Sequence, residues 1–168
     1  MTTPHAGGGL YDWQATREGE LETPLPERVD ARLVFIGRIR TPFQRREDCP
    51  RQGRPDGPLC RIEVDAPWRA GLTGIEAFET IEVLYFMHLA RRDLILQNPK
   101  SNGTLFGSFA LRSPVRPNPI STALVRLIAV EDGALIVRGL DCVDGTPLID
   151  LKPDRCAYTP QAQPRPAD

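Results

Sequence analysis

The feature that most constrains this chain is a succession of short apolar runs with no helical pattern of twelve or more residues between them. Strands in a doubly wound α/β fold alternate with such helices, so that architecture is disfavoured. Several short strands in 168 residues predict an all-β fold, mainly an antiparallel β-barrel, with a few short helices. Leu33-Val34-Phe35-Ile36 reads as a strand, and Cys60 to Asp65 alternates as a second. Thr80 to His88 is the strongest strand, and its closing apolar run predicts burial on both faces there. Thr104 to Leu111 is a further candidate, and Pro147 to Leu151 a short one. Thr122–Val130 and Ala134–Leu140 flank Glu131-Asp132-Gly133, a hairpin signal. Trp68 to Phe78 has room for one or two helical turns.

The expected organisation is a loosely attached, flexible N-terminal arm over 1–30, a barrel domain over 31–158 and a disordered tail over 159–168. The arm and tail are rich in Gly and Pro and show no sustained period. No apolar run approaches the length of a membrane span, and the N-terminus lacks a secretory pattern, so a cytoplasmic protein is expected. Cys49, Cys60, Cys142 and Cys156 form no CxxC pair, which predicts free thiols and no metal site. The net charge of −1 argues against a general nucleic-acid coat. The segment from Arg38 to Arg61 nevertheless holds Arg38, Arg40, Arg45, Arg46, Arg51, Arg54 and Arg61 against Glu47, Asp48 and Asp56. Such a patch can bind phosphates, and it can equally be a solvated face.

No GxGxxG, GxxxxGK[ST] or GxSxG motif is present. The chemistry-bearing stretches are elsewhere. In Arg112-Ser113-Pro114-Val115-Arg116-Pro117-Asn118-Pro119-Ile120, three prolines in six residues fix the backbone and present forked donors. Asp141-Cys142-Val143-Asp144-Gly145-Thr146-Pro147 reads as a tight turn that can set an aspartate and backbone groups at a pocket mouth. Pro50-Arg51-Gln52 lies in the basic loop, and Met87-His88 ends the strongest strand.

Together, in this order, these four stretches resemble the TsaA-like (TrmO) family, over roughly residues 32 to 155. That family includes tRNA methyltransferases acting on N6-threonylcarbamoyladenosine beside the anticodon. The resemblance implies a β-barrel methyltransferase that uses S-adenosylmethionine without a Rossmann fold and works as a homodimer. By motif position it implies a cofactor site of Pro50, Arg51, Gln52, His88, Leu89, Arg112, Thr122, Asp144, Gly145, Thr146 and Pro147. The cofactor's carboxylate suits a fork such as Arg51 or Arg112, and its ribose suits Asp144 and the backbone of the turn. His88 is expected to line the pocket rather than to transfer protons. No catalytic base is assigned, because a sulfonium-activated methyl group mainly needs positioning. Arg116 and Asn118 are candidates for orienting the tRNA substrate, and Arg45, Arg46 and Arg54 for phosphate contacts.

Departures from the family pattern are Ser121 in place of Gly, Thr122 in place of a large apolar residue, and Asp154 after Lys152-Pro153 in place of Tyr. The bacterial enzymes carry a further C-terminal region, whereas this chain ends soon after the last motif. Two other readings stay open: methylation of a small molecule or another RNA, and a non-catalytic module that binds S-adenosylmethionine.

Overall fold

A computed structural model describes residues 15–27 and 30–154. Its strands are β1 (Leu21–Glu22), β2 (Gly37–Arg40), β3 (Leu59–Val64), β4 (Thr80–Phe86), β5 (Leu94–Gln97), β6 (Phe106–Gly107), β7 (Ile120–Glu131), β8 (Ala134–Arg138) and β9 (Thr146–Pro153). The helical pieces among the described residues are short 3₁₀ turns at Arg46–Asp48, Ala66–Leu72, Ile75–Ala77 and Ser108–Ala110. The chain divides into two compact units. One comprises residues 27–90 and 119–168, the other 1–26 and 91–118.

The first unit is a closed barrel of six strands in the order β2-β3-β8-β7-β4-β9, with β9 pairing back onto β2. Every neighbouring pair is antiparallel. The expected all-β barrel is therefore the observed fold. Closure removes the two exposed strand edges that an open sheet would leave. The alternation of each strand sends one set of side chains inward. Ile39, Ile62, Ile81, Val83, Val125, Leu135, Val137 and Leu148 are essentially without solvent exposure and fill the interior. At roughly 25 cal/mol per Å² of apolar surface removed from water, this lining is the main source of the unit's stability.

The predicted hairpin is present: β7 and β8 meet at Asp132-Gly133, where Gly133 takes the left-handed φ of 69°. Two readings are corrected. Leu33–Ile36 is not a strand: Leu33, Val34 and Phe35 are exposed, and the ladder begins only at Gly37. The reason is close approach, since a Cβ on Gly37 would lie 2.0 Å from the carbonyl oxygen of Glu63. The pairing strand therefore starts where the side chain disappears. The end of β4 is not buried on both faces either; it alternates to the last residue, with Tyr85 buried and Leu84 and Phe86 half-buried.

The second unit is a three-stranded sheet in the order β1-β5-β6. Residues 15–26, expected to form part of the loose arm, are tied into it. Leu21 and Glu22 pair with β5, and Arg91 bridges Glu22 and Asp93 at 2.7 and 2.8 Å. The predicted strand over Thr104–Leu111 shrinks to Phe106–Gly107, after which Ser108 turns inward and accepts a hydrogen bond from Gln97 at 2.6 Å. The remainder of the expected arm, residues 1–14, and the tail 159–168 lie outside the described residues.

Candidate functional site

In the barrel unit, the loop between β2 and β3 and the turn before β9 are hydrogen-bonded to each other. The amide of Asp144 donates to the carbonyl of Phe43 at 2.7 Å, and that of Gly145 to Ile39 at 2.8 Å. Asp144 accepts from the Thr41 amide at 3.1 Å and lies 3.7 Å from Arg40. The Thr41 hydroxyl donates to the carbonyl of Cys142 at 2.9 Å. Further along the loop, the amide of Gly53 donates to Asp141 at 3.3 Å. Two carboxylates three residues apart thus grip the two ends of the segment that carries Pro50, Arg51 and Gln52.

Local chemistry explains why this turn is so shaped. Gly145 takes φ 78°, which an L side chain resists. The Thr146 hydroxyl donates to the Val143 carbonyl at 2.7 Å and is buried, so the turn closes on itself before β9 begins. Pro147 is buried beside it.

β4 delivers His88 to the same part of the barrel, because Tyr85 pairs with Leu148 at the start of β9. The His88 amide donates to the Phe86 carbonyl at 2.8 Å, and its side chain stays on the surface with Leu89. The imidazole titrates below the ordinary histidine value, through partial desolvation and then the charge of Arg38. Arg38 sits opposite Pro147 in the β2–β9 ladder. Pro50–Gln52, Asp144–Pro147 and His88 are therefore gathered on one unit. Thr122 is also there, on the exposed outer face of β7, paired with Leu84.

Arg112, Arg116 and Asn118 belong to the other unit. Arg116 turns back on its own loop, donating to the carbonyls of Ser113 at 2.9 Å, Ser108 at 3.3 Å and Leu111. Asn118 accepts from Arg92 at 3.4 Å. Arg112 is exposed and has no hydrogen bond or ion pair to any described residue. Three residues earlier, Phe109 is 85% exposed, while its neighbour Ser108 is buried.

In the basic loop the cations are mostly matched. Arg45 forms a two-pronged pair with Asp48, and Arg54 with Asp56 at 2.9 Å. Arg46 also has interactions of its own. Arg51 is exposed and makes no hydrogen bond or ion pair to any described residue, which leaves its fork available.

Cys49, Cys60 and Cys142 carry free thiols. Burial pushes the Cys49 thiol up to about 11, with Asp141 and Asp48 adding to the shift. It is therefore protonated at neutral pH and is no nucleophile. Among the described residues no three His, Cys, Asp or Glu side chains group as metal ligands, and no helix is long and apolar enough to cross a membrane. A shallow cavity of about 440 Å³ on the barrel wall is lined by Arg40 and Thr41, which touch Asp144, and by Leu59, Cys60, Arg61, Glu131 and Ile136. It contains none of the predicted site residues, so chemistry rather than concavity identifies the candidate site.

Sequence reasoning missed Asp141 and Tyr85 as parts of this assembly. The Tyr85 phenol donates to Asp141 at 2.5 Å from inside the barrel. The first Asp of the turn motif was a visible signal for one of them. Nothing local marks Tyr85, which reads as a core residue.

Residues 38–162 match the family described as the tRNA-methyltransferase O N-terminal domain. A Rhizobium radiobacter protein, named as the probable S-adenosyl-L-methionine-binding protein VirR, is 46% identical over 161 residues, 96% of this chain and 92% of that protein. A mouse tRNA (adenine(37)-N6)-methyltransferase is 40% identical over 85 residues, covering 49% of this chain and 20% of the mouse protein. The crystal structure of TrmO from P. aeruginosa is similar with a TM-score of 0.66 and 31% identity, over 83% of this chain and 61% of that one. The chain thus spans less than two thirds of that solved TrmO chain. With the motif order, the closed antiparallel barrel and the match over residues 38–162 in agreement, the chain belongs to the TrmO, or TsaA-like, family through that family's N-terminal domain.

Proposed function

We propose that this chain is an S-adenosylmethionine-dependent methyltransferase that methylates N6 of threonylcarbamoyladenosine in tRNA. The observation that carries the reading is that the loop bearing Pro50–Gln52 is hydrogen-bonded at both ends to the segment leading into β9, through Thr41 and Phe43 to Asp144 and through Gly53 to Asp141. The donor set suits the cofactor. Arg51 and Arg112 are exposed forks with no described partner, and either matches a carboxylate. Asp144 has spent one acceptor site on Thr41 and keeps others for hydroxyl groups. His88, held below the ordinary histidine range, stays neutral at pH 7 and does not repel a cation.

When bound, S-adenosylmethionine supplies a methyl group on a sulfonium, already activated for in-line transfer to nitrogen. The chain's own task is to hold the two reactants aligned and to exclude water, so no base is assigned. On the substrate side, Phe109 offers an exposed ring with Arg112 three residues on. Segment 91–118 carries Arg91, Arg92, Lys100, Arg112 and Arg116 against Asp93 alone. An aromatic face with cations suits an unstacked base in a single-stranded loop. The tRNA phosphates would also draw on Arg46, and on Arg45 and Arg54 by exchange of their exposed carboxylate partners, since such pairs are weak.

We read the protein as a cytoplasmic homodimer. Exposed Ile120, Leu124, Ile128 and Val130 along β7 supply apolar surface for a second copy.

One observation favours a second reading, a module that binds the cofactor without turnover: the relative that spans nearly this whole chain is named for binding alone. Calorimetric titration with S-adenosylmethionine, for the intact protein and for Arg51→Ala and Arg112→Ala, tests the cofactor site. Transfer of a labelled methyl group to threonylcarbamoyl-modified tRNA, with unmodified tRNA and a metabolite pool as controls, tests the acceptor. Binding without transfer to any acceptor selects the module. No binding by the intact protein removes both readings.

A further inference from the structure

Asp144 and Asp141 divide the work of holding the loop, and only the second is wired into the barrel interior. One oxygen of Asp141 accepts from the Gly53 amide at 3.3 Å, immediately after Gln52. Its other oxygen accepts from the Tyr85 hydroxyl at 2.5 Å. Tyr85 comes from β4, is 1% exposed, and cannot swing away without opening the core. Ser121 is the residue directly opposite Tyr85 on β7. The result is one chain of polar groups: the Tyr85 phenol, Asp141 and the Gly53 amide. Loop and turn are also in close steric contact, because a Cβ on Gly53 would lie 1.7 Å from the carbonyl oxygen of Gly139.

We propose that Asp141 is a positioning residue for the Pro50-Arg51-Gln52 loop, anchored through Tyr85 to the barrel core. This rests on the reading of that loop as a cofactor-binding element. A carboxylate serves here because it can accept from two donors approaching from different sides. Asparagine keeps the shape but offers only one accepting oxygen, and its NH₂ would face a donor.

The test compares the full chain with Asp141→Asn and Tyr85→Phe. Hydrogen exchange of the amides over 49–54, measured without ligand, reads loop attachment directly. S-adenosylmethionine affinity and the split of KM against kcat read the consequence. Asp141→Asn is expected to speed exchange in that segment by about tenfold or more, the scale of a lost hydrogen bond to a charged group. It should raise KM for the cofactor to a similar degree and leave kcat at saturation nearly unchanged. Tyr85→Phe should move the same readouts in the same direction by less. If Asp141→Asn fails to fold, the Tyr85→Phe data decide. Unchanged exchange over 49–54 relative to the rest of the barrel, or unchanged affinity in a well-folded variant that does bind, overturns the proposal. Absence of binding by the unsubstituted protein instead strikes the cofactor reading, while exchange still reports whether Asp141 holds the loop.

Discussion

Gly53→Ala is a sharp probe of how the loop is seated. The added methyl would lie 1.7 Å from the carbonyl oxygen of Gly139 and 2.4 Å from its carbonyl carbon. Side-chain carbons essentially never approach closer than 3.0 Å, so loop and strand end must separate by at least 1.3 Å. Neither partner is a flexible side chain that could rotate aside; both are backbone. The Gly53–Asp141 hydrogen bond is already at 3.3 Å, and a displacement of that size breaks it. Overpacking costs about 1–3 kcal/mol and a hydrogen bond to a charged group about 1.5–3, with part of each recovered by relaxation. A net loss of about 2–3 kcal/mol is expected, or about 4–10 °C in Tm for a domain of this size. Thermal unfolding followed by circular dichroism measures the first effect, and calorimetric titration with S-adenosylmethionine at a temperature where the variant is folded measures the second. Affinity should fall by at least about tenfold, because a roughly 1 Å misplacement of a positioning element is enough for a large loss. A variant with unchanged Tm and unchanged affinity would refute the reasoning, since it would mean that the loop does not rest on Gly139 at all.

Arg116→Ala removes donors to three carbonyls of its own loop, so stability in urea should drop by about 2–4 kcal/mol; a variant of normal stability with only a raised KM for RNA would restore Arg116 to the substrate. Because His88 titrates below its unfolded value in the native state, protonation favours the unfolded chain. Stability from this group is fully present above about pH 6.5 and is lost as pH falls through the folded value; urea midpoints at pH 7.5 and 5.5 should differ less in His88→Asn than in the parent. The Cys49 thiol, raised to about 11, should react slowly with iodoacetamide at pH 7.5, and Cys49→Ser should keep cofactor binding; rapid alkylation with loss of binding would contradict the burial that raises it.

Much of the barrel was legible in the chain because alternation is a local property. Cys60–Asp65 and Thr80–His88 carry the period of two that a half-buried strand imposes, and Asp132-Gly133 marks a hairpin by its backbone preference alone. The failures share one cause. Leu33–Phe35 has strand composition but stays exposed and outside any strand, whereas the backbone of Ile36 already bonds Leu148 and Asp65, and that pairing is a fact about separate segments. Leu94–Gln97, by contrast, is a strand because β1 and β6 flank it, although its own pattern is weak.

The site divides in the same way. Pro50-Arg51-Gln52, Arg112 and Asp144-Gly145-Thr146-Pro147 could be named from residue type and order, because chemistry such as a guanidinium fork or a left-handed turn glycine belongs to the residue. Which arginine is free could not. Arg45, Arg54 and Arg116 look equivalent to Arg51 and Arg112 in one dimension, and folding occupies the first three with Asp48, Asp56 and loop carbonyls. The sequence by itself determined the strand periodicity, the turn chemistry and the kinds of groups available for a ligand. Only the tertiary structure decided that Tyr85, Asp141 and Gly53 act as one unit, since hydrogen bonds between residues 56 and 88 positions apart are made by closing a barrel, and no local preference encodes them.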